Sequence, residues 1–263
     1  MAMYNGIRPI KKLGQNFLVC EHIAELESDF GKDKNVIEIG PGMGMLTEKL
    51  CKKANSVLAV EYDKRLYELL IEKLNYKNLT LINDNFFRLN KSAFLGYNML
   101  IANIPYNLSS KTIGWIIEMR LDAILCMQKE LVEHMLANVS TNKYSKLSVI
   151  SKLMLNVGYV EKVPAECFYP KPNVDSVIVY IKPKEIHIEK NIMHVISCIM
   201  EHKKKTLRNA IIDSSKNLSI DKKSAMAIAE QLGDKSMRVF DIAPNELLNI
   251  SKKISIALEK LHE

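Results

Sequence analysis

Four short apolar runs constrain this chain more than any other feature of its 263 residues: Asn35–Ile39, Ser56–Val60, Leu79–Ile82 and Met99–Ala102. Runs of this length, bounded by turn residues, read as strands buried in a sheet. Between them lie stretches with helical spacing, such as Leu66, Leu69, Leu70 and Leu74. Strand–helix alternation builds a parallel sheet, and such sheets bind ligands outside the carboxyl ends of their strands. At those four ends stand Gly40, Glu61, Asp84 and Asn103.

The first end opens into Gly40-Pro41-Gly42-Met43-Gly44, where glycines let a ligand approach the backbone. A dinucleotide fingerprint needs its third glycine at position 45, which is Met45. A phosphate loop needs a Lys-Ser/Thr pair, and Met45-Leu46 offers none. The loop therefore suits a nucleoside without phosphates. Glu61, at the tip of the second strand, suits a pair of ribose hydroxyls; it also reads as an acid favoured by a helix N-terminus. Asp63 reads as the cap of the helix that follows.

The fourth end, Asn103-Ile104-Pro105-Tyr106, carries the chemistry. Pro105 stops the strand and holds Ile104 extended. The turn presents the Asn103 amide, the Ile104 carbonyl and the Tyr106 ring to one cavity. An exocyclic base amine is a poor nucleophile, because its lone pair is delocalised into the ring. Two acceptors, the Asn103 oxygen and the Ile104 carbonyl, can bind both amine hydrogens and favour a tetrahedral nitrogen at the barrier. Tyr106 can stack on the base. A plain strand end before a helix capped at Ser109 or Ser110 is the competing reading. Further on, Phe168 suits the second face of an aromatic sandwich around a flipped base, or alternatively a place in the core.

These residues resemble a known family. Asn103-Ile104-Pro105-Tyr106-Asn107-Leu108-Ser109 is similar to the amino-methyltransferase motif in its rRNA-adenine form, and Val36 to Gly44 resembles the glycine motif of class I methyltransferases. Lys11-Lys12-Leu13-Gly14-Gln15-Asn16-Phe17-Leu18 and Phe168-Tyr169-Pro170-Lys171-Pro172-Asn173-Val174-Asp175-Ser176 extend the match. The chain as a whole resembles the KsgA-type small-subunit rRNA adenine dimethyltransferases. The resemblance implies an α/β fold with a class I (Rossmann-like) methyltransferase sheet, mostly parallel with one antiparallel strand, plus a small C-terminal all-helical domain. It implies S-adenosyl-L-methionine as cofactor, held by Gln15, Asn16, Leu18, Gly40, Gly42, Glu61, Tyr62, Asp84, Asn85 and Asn103. The family's usual Asp-Ala is here Asp84-Asn85. Lys11 and Lys12 are implied to face RNA. The implied reaction is dimethylation of N6 on two adjacent adenosines in the 3′-end loop of small-subunit rRNA, within the immature subunit. Asn103, Ile104, Tyr106 and Phe168 are the catalytic set. Asp175 favours this group over the large-subunit rRNA methyltransferases, which usually carry Val-Asn-Ser.

Beyond about Lys184 the chain becomes helical and lysine-rich, so the expected domains are 1–184, catalytic, and 185–263, RNA-binding. Met200 to Ala210 resembles the family's Gln-Arg-Arg-Lys-Thr-Leu-Arg-Asn stretch and departs from it at Glu201, His202 and Lys203. Lys203, Lys204, Lys205 and Arg208 are candidate phosphate contacts. The net charge of +7 fits a polyanionic partner. The segment 147–159 reads as a helix or a long strand, with no boundary fixed. The five scattered cysteines read as reduced thiols, and no metal site is expected. No membrane span or signal segment is evident, so a cytoplasmic protein is expected; a monomer is the expected state. Two alternatives stay open: a ribosome-assembly or RNA-binding factor without catalysis, and an adenine-N6 methyltransferase of large-subunit rRNA.

Overall fold

The computed structural model describes residues 6–232 and 236–262. In chain order the first half comprises β1 (Phe17–Leu18), α1 (Glu21–Asp29), β2 (Asn35–Ile39), α2 (Met45–Lys53), β3 (Ser56–Glu61), α3 (Lys64–Lys73), β4 (Leu79–Asn83) and β5 (Met99–Asn103). There follow α4 (Ser109–Met119), β6 (Asp122–Gln128), α5 (Lys129–Leu136), α6 (Lys146–Met154), β7 (Leu155–Val163), β8 (Phe168–Tyr169) and β9 (Ser176–Pro183). The remainder is helical: α7 (Lys190–Glu201), α8 (Leu207–Asp213), α9 (Lys222–Gln231) and α10 (Pro244–His262). No described helix is long and apolar enough to cross a membrane.

Seven strands form one sheet in the order β4-β3-β2-β5-β6-β9-β7. β2 pairs parallel with both β3 and β5, and β5 with β6, whereas β9 lies antiparallel to β6. The order reverses direction between β2 and β5, so their two carboxyl ends diverge and leave a crevice. The strand cores Val36, Ile37, Val57, Ala59, Leu100, Ile101 and Ala102 are fully shielded from solvent. Near-continuous apolar runs follow from burial on both faces.

The chain divides into two compact units: 6–132 with 156–183, and 133–155 with the described residues from 184 onward. A single boundary at 184, as the change in composition predicts, would put everything before it in the first body. The segment 133–155 instead packs with the C-terminal helices, because Tyr144 needs them. Its side chain is fully buried and its hydroxyl donates to the Ile242 carbonyl at 2.9 Å. Val149 and Leu153 join the same apolar cluster as Val195, Ile199, Ile211 and Leu247. The ambiguous segment 147–159 resolves as α6 running straight into β7 through an extended Leu155.

The helical spacing of Ile23, Leu26 and Phe30 predicts that α1 buries these three. Its deepest face is Ile23, Ala24, Glu27 and Ser28, with Leu26 and Phe30 only half-buried. A carboxylate thus occupies the centre of a face that the apolar spacing placed elsewhere.

The cysteine expectation also needs correction. Antiparallel pairing of β1 with β8 aligns Leu18 with Phe168, and the Val19 amide donates to the Cys167 carbonyl at 2.8 Å. This brings Cys20 and Cys167 to a Cα separation of 4.9 Å, and they form a disulfide; Cys51, Cys126 and Cys198 remain buried thiols. Thiol titration of the unfolded, unreduced protein is therefore expected to count three thiols. Cys20→Ser is expected to lower unfolding free energy by about 2–4 kcal/mol in a denaturant titration, since the bond closes a long loop. A count of five thiols would show that the bridge is absent.

Candidate active site

A cavity of about 340 Å³ opens at the carboxyl ends of β2, β3, β4 and β5. The glycine turn after β2 forms one wall. Gly42 has φ +61°, and a Cβ there would come within 3.3 Å of the Phe17 ring. Gly44 has φ +80°, and a Cβ would strike Leu70 of α3 at 2.6 Å. Left-handed backbone and close neighbours together require glycine at both positions. Gly40 lines the same wall.

Glu61 is buried, and both of its oxygens are aimed by backbone amides. Oε2 accepts from Gly42 at 3.1 Å and Oε1 from Asp63 at 2.8 Å. Burial raises its pKa, while the amides of Asp63 and Gly42 pull it back. Each oxygen keeps a further lone pair for a hydroxyl donor. Tyr62 beside it is largely exposed at the mouth. Asp84 is exposed and lines the cavity, with Oδ1 accepting from the Asn85 amide at 2.6 Å. The Asn85 side chain accepts from the Phe87 amide at 3.0 Å and so caps a short helix. Asn85 lines the cavity beside Asp84. Asp63 caps α3 as expected, accepting from the Arg65 amide at 3.1 Å.

The N-terminal arm closes another side. Gln15 uses both ends of its amide internally, accepting from the Ile10 amide at 2.7 Å and donating to Asp63 at 2.8 Å. It lines the cavity while tying the arm to α3. Asn16 and Leu18 line it too, Leu18 from β1. Lys12 stands at the rim, and both Lys11 and Lys12 are exposed. Gly14 approaches the catalytic turn so closely that a Cβ would lie 3.0 Å from Asn107 Oδ1.

At the floor, β5 delivers Asn103. Its Nδ2 donates to Glu27 Oε2 at 2.7 Å, and its Oδ1 is buried with no hydrogen-bond partner among the described residues. An orphaned buried acceptor in a binding cavity points to a donor on the ligand. Ile104, Tyr106 and Phe168 line the same cavity. Tyr106 is steadied by a 2.8 Å hydrogen bond between its hydroxyl and that of Ser176. Ser109 begins α4 instead of capping it; the N-cap residue is Leu108. Composition and motifs gave no sign of Glu27 or of Glu38, which lies on β2 and also lines the cavity. Burial pushes the pKa of each up to about 8.

The basic cluster lies in the other unit, and most of it is engaged. Lys203 donates to the carbonyls of Tyr144 and Asn142, Lys205 pairs with Asp213 at 2.5 Å, and Arg208 pairs with Glu230 at 3.0 Å. Lys204 is exposed and makes no ion pair among the described residues. The exposed pairs of Lys205 and Arg208 are weak and open to exchange with phosphate; Lys203 serves the packing of the unit.

The lining fits a sulfonium nucleoside without phosphates: the carboxylates of Glu38, Glu61 and Asp84, a glycine wall, apolar faces and no lysine directly after the glycine turn. Comparison with known proteins decides the family. The model for ribosomal RNA adenine dimethylase matches residues 8–255. The chain belongs to the ribosomal RNA adenine dimethylase family. Among its relatives, the ribosomal RNA small subunit methyltransferase A of Mycoplasma mobile is 37% identical over 248 residues, covering 90% of this chain and 97% of that one. The probable ribosomal RNA small subunit methyltransferase A of Thermococcus gammatolerans is 34% identical over 253 residues, covering 94% and 89%. A crystal structure of a dimethyladenosine transferase from Plasmodium falciparum superposes with a TM-score of 0.75 at 28% identity, covering 90% of this chain and 98% of that one. The dimethylase family thus accounts for nearly the full length, and the chain is an enzyme of the methyltransferase class with a Rossmann-like sheet.

Proposed function

We propose that this dimethylase uses S-adenosylmethionine to methylate N6 of two adjacent adenosines in the 3′-end loop of small-subunit rRNA, on the maturing subunit. One observation carries the reading: the unpartnered Asn103 oxygen at the floor of a nucleoside-sized cavity, beside a tethered Tyr106. The cofactor, when bound, supplies an electrophilic methyl group on sulfonium. Glu61 and Asp84 orient it, through ribose hydroxyls and an adenine amine respectively, with Gln15, Asn16 and Leu18 closing over it.

The chain's own residues prepare the nucleophile. Asn103 Oδ1 and the Ile104 carbonyl accept the two N6 hydrogens and draw the nitrogen toward pyramidal geometry. Tyr106 and Phe168 hold the looped-out base between them, which fixes the line of attack and keeps water out. Methylation makes the remaining N–H acidic, so solvent suffices as the proton sink and no strong base is needed. Lys11, Lys12, Lys204, Lys205 and Arg208 supply salt-sensitive, sequence-independent phosphate contacts.

The test is methylation of immature small subunits from cells lacking this modification, followed by nucleoside and fragment mass spectrometry. Two N6,N6-dimethyladenosines in the 3′-end loop are expected. Label appearing only in large-subunit rRNA would move the substrate, and cofactor-free binding without transfer would mark an assembly factor.

A further inference from the structure

Glu27 has no part in the reaction as described so far. It lies on α1, fully buried, with Oε2 bonded to Asn103 Nδ2 at 2.7 Å and Oε1 unpartnered among the described residues. Burying a carboxyl with a single contact is costly, and packing alone would be served better by an apolar side chain. An ionised carboxylate has no proton to give, so it can engage a primary amide only through the NH2 end. The carbonyl end of Asn103 must then point away from Glu27, and Oδ1 is left buried without a partner, on a residue that lines the cavity. Without such a hold, the amide could turn over and set its own N–H donors against those of the substrate amine.

We propose that Glu27 is a positioning residue for methyl transfer, gripping the Asn103 amide by its nitrogen so that its oxygen stays aimed at the substrate's exocyclic amine. The inference rests on the proposed function. The titratable groups that feel the charge of Glu27 are Glu38 on β2 and Cys126 on β6, and burial raises both, Glu38 to about 8. Burial likewise raises Glu27 to about 8, against the pull of the Asn103 N–H. The grip is accordingly firmest above pH 8, where the carboxylate is acceptor-only.

The test compares wild type, Glu27→Leu and Glu27→Gln in thermal melts, in affinity for S-adenosylhomocysteine by calorimetry, and in kcat and KM on immature subunits from pH 6.5 to 9. Leucine fills the same space without an acceptor; it removes the cost of a buried carboxyl but leaves Asn103 Nδ2 without that partner. Glu27→Leu is expected to melt cooperatively, somewhat below wild type, and to bind the nucleoside equally, yet to lose about 10–100-fold in kcat with KM little changed, as misplacement of a reacting group does. Glutamine retains an acceptor, so Glu27→Gln is expected to come within about threefold of wild type at pH 7. It should then miss the several-fold rise in kcat that wild type shows toward pH 9. Equal kcat for folded Glu27→Leu overturns the proposal, as does a parallel loss of nucleoside affinity and kcat. If the leucine variant does not fold, a wild-type pH profile reproduced by Glu27→Gln overturns it. A wild type that transfers no methyl group at all defeats the proposed function itself, and this inference with it.

Discussion

Asn103→Ala is expected to reduce methyl transfer by roughly 10²–10³-fold in a tritiated-methyl single-turnover assay, the usual cost of removing one group that acts only at the barrier. The substituted side chain ends short of the cavity, so the substrate amine loses one of its two acceptors. The Ile104 carbonyl alone binds one hydrogen and leaves the nitrogen nearly planar. Binding of S-adenosylhomocysteine should change little, because the nucleoside is held chiefly from the ends of β3 and β4. The variant also strips the Glu27 carboxyl of its one hydrogen-bond partner among the described residues. With a pKa already raised to about 8, that carboxyl can stay protonated at neutral pH. A modest loss of stability, of order 1–3 kcal/mol, is therefore expected. Unchanged turnover would remove Asn103 from the mechanism.

Glu61→Ala should fail in the opposite way. Its two oxygens are pre-aimed by the amides of Gly42 and Asp63, at 3.1 and 2.8 Å. A charged acceptor bonded to two hydroxyls contributes about 1.5–3 kcal/mol per bond. Affinity for S-adenosylhomocysteine should therefore fall by at least about a hundredfold, since each 1.4 kcal/mol is tenfold. Much of the turnover should return at saturating cofactor, because the residues around the base are untouched. Calorimetry and kcat measured side by side separate this from Asn103→Ala. A Glu61→Ala variant with undiminished affinity would mean that the carboxylate serves only to brace the glycine turn.

Much of this site could be read before any coordinates, because strand ends are where chemistry and pattern coincide. Gly40, Glu61, Asp84 and Asn103 each follow an apolar run short enough to be nothing but a strand, and the structure gathers all four around one cavity. What escaped were features that depend on partners distant in sequence. Glu27 stands among other acids of its helix, Glu21 and Glu25, and nothing near it in sequence marks it as buried; its partner lies 76 residues away. Cys20 and Cys167 are separated by 147 positions within an odd number of cysteines, which leaves pairing undetermined. Residues 147–154 fit a helix and a strand about equally, and only the cluster around Val149 and Leu153 chooses between them. The basic run at 203–208 invited a uniform reading as phosphate ligands. Carbonyls of Asn142 and Tyr144, more than fifty residues earlier, claim one of those cations.

The path of 133–155 has a consequence for dissection and for synthesis. Since this excursion belongs with helices made later, a fragment ending at 184 would carry Tyr144, Val149 and Leu153 with nothing to cover them, and a fragment starting at 185 would lack the strip that completes its interior. Neither half is a natural cut product. On the translating ribosome the excursion must wait, unclad, until α7 and the helices after it emerge, so the last stage of maturation of this enzyme closes over a piece of chain laid down near its middle.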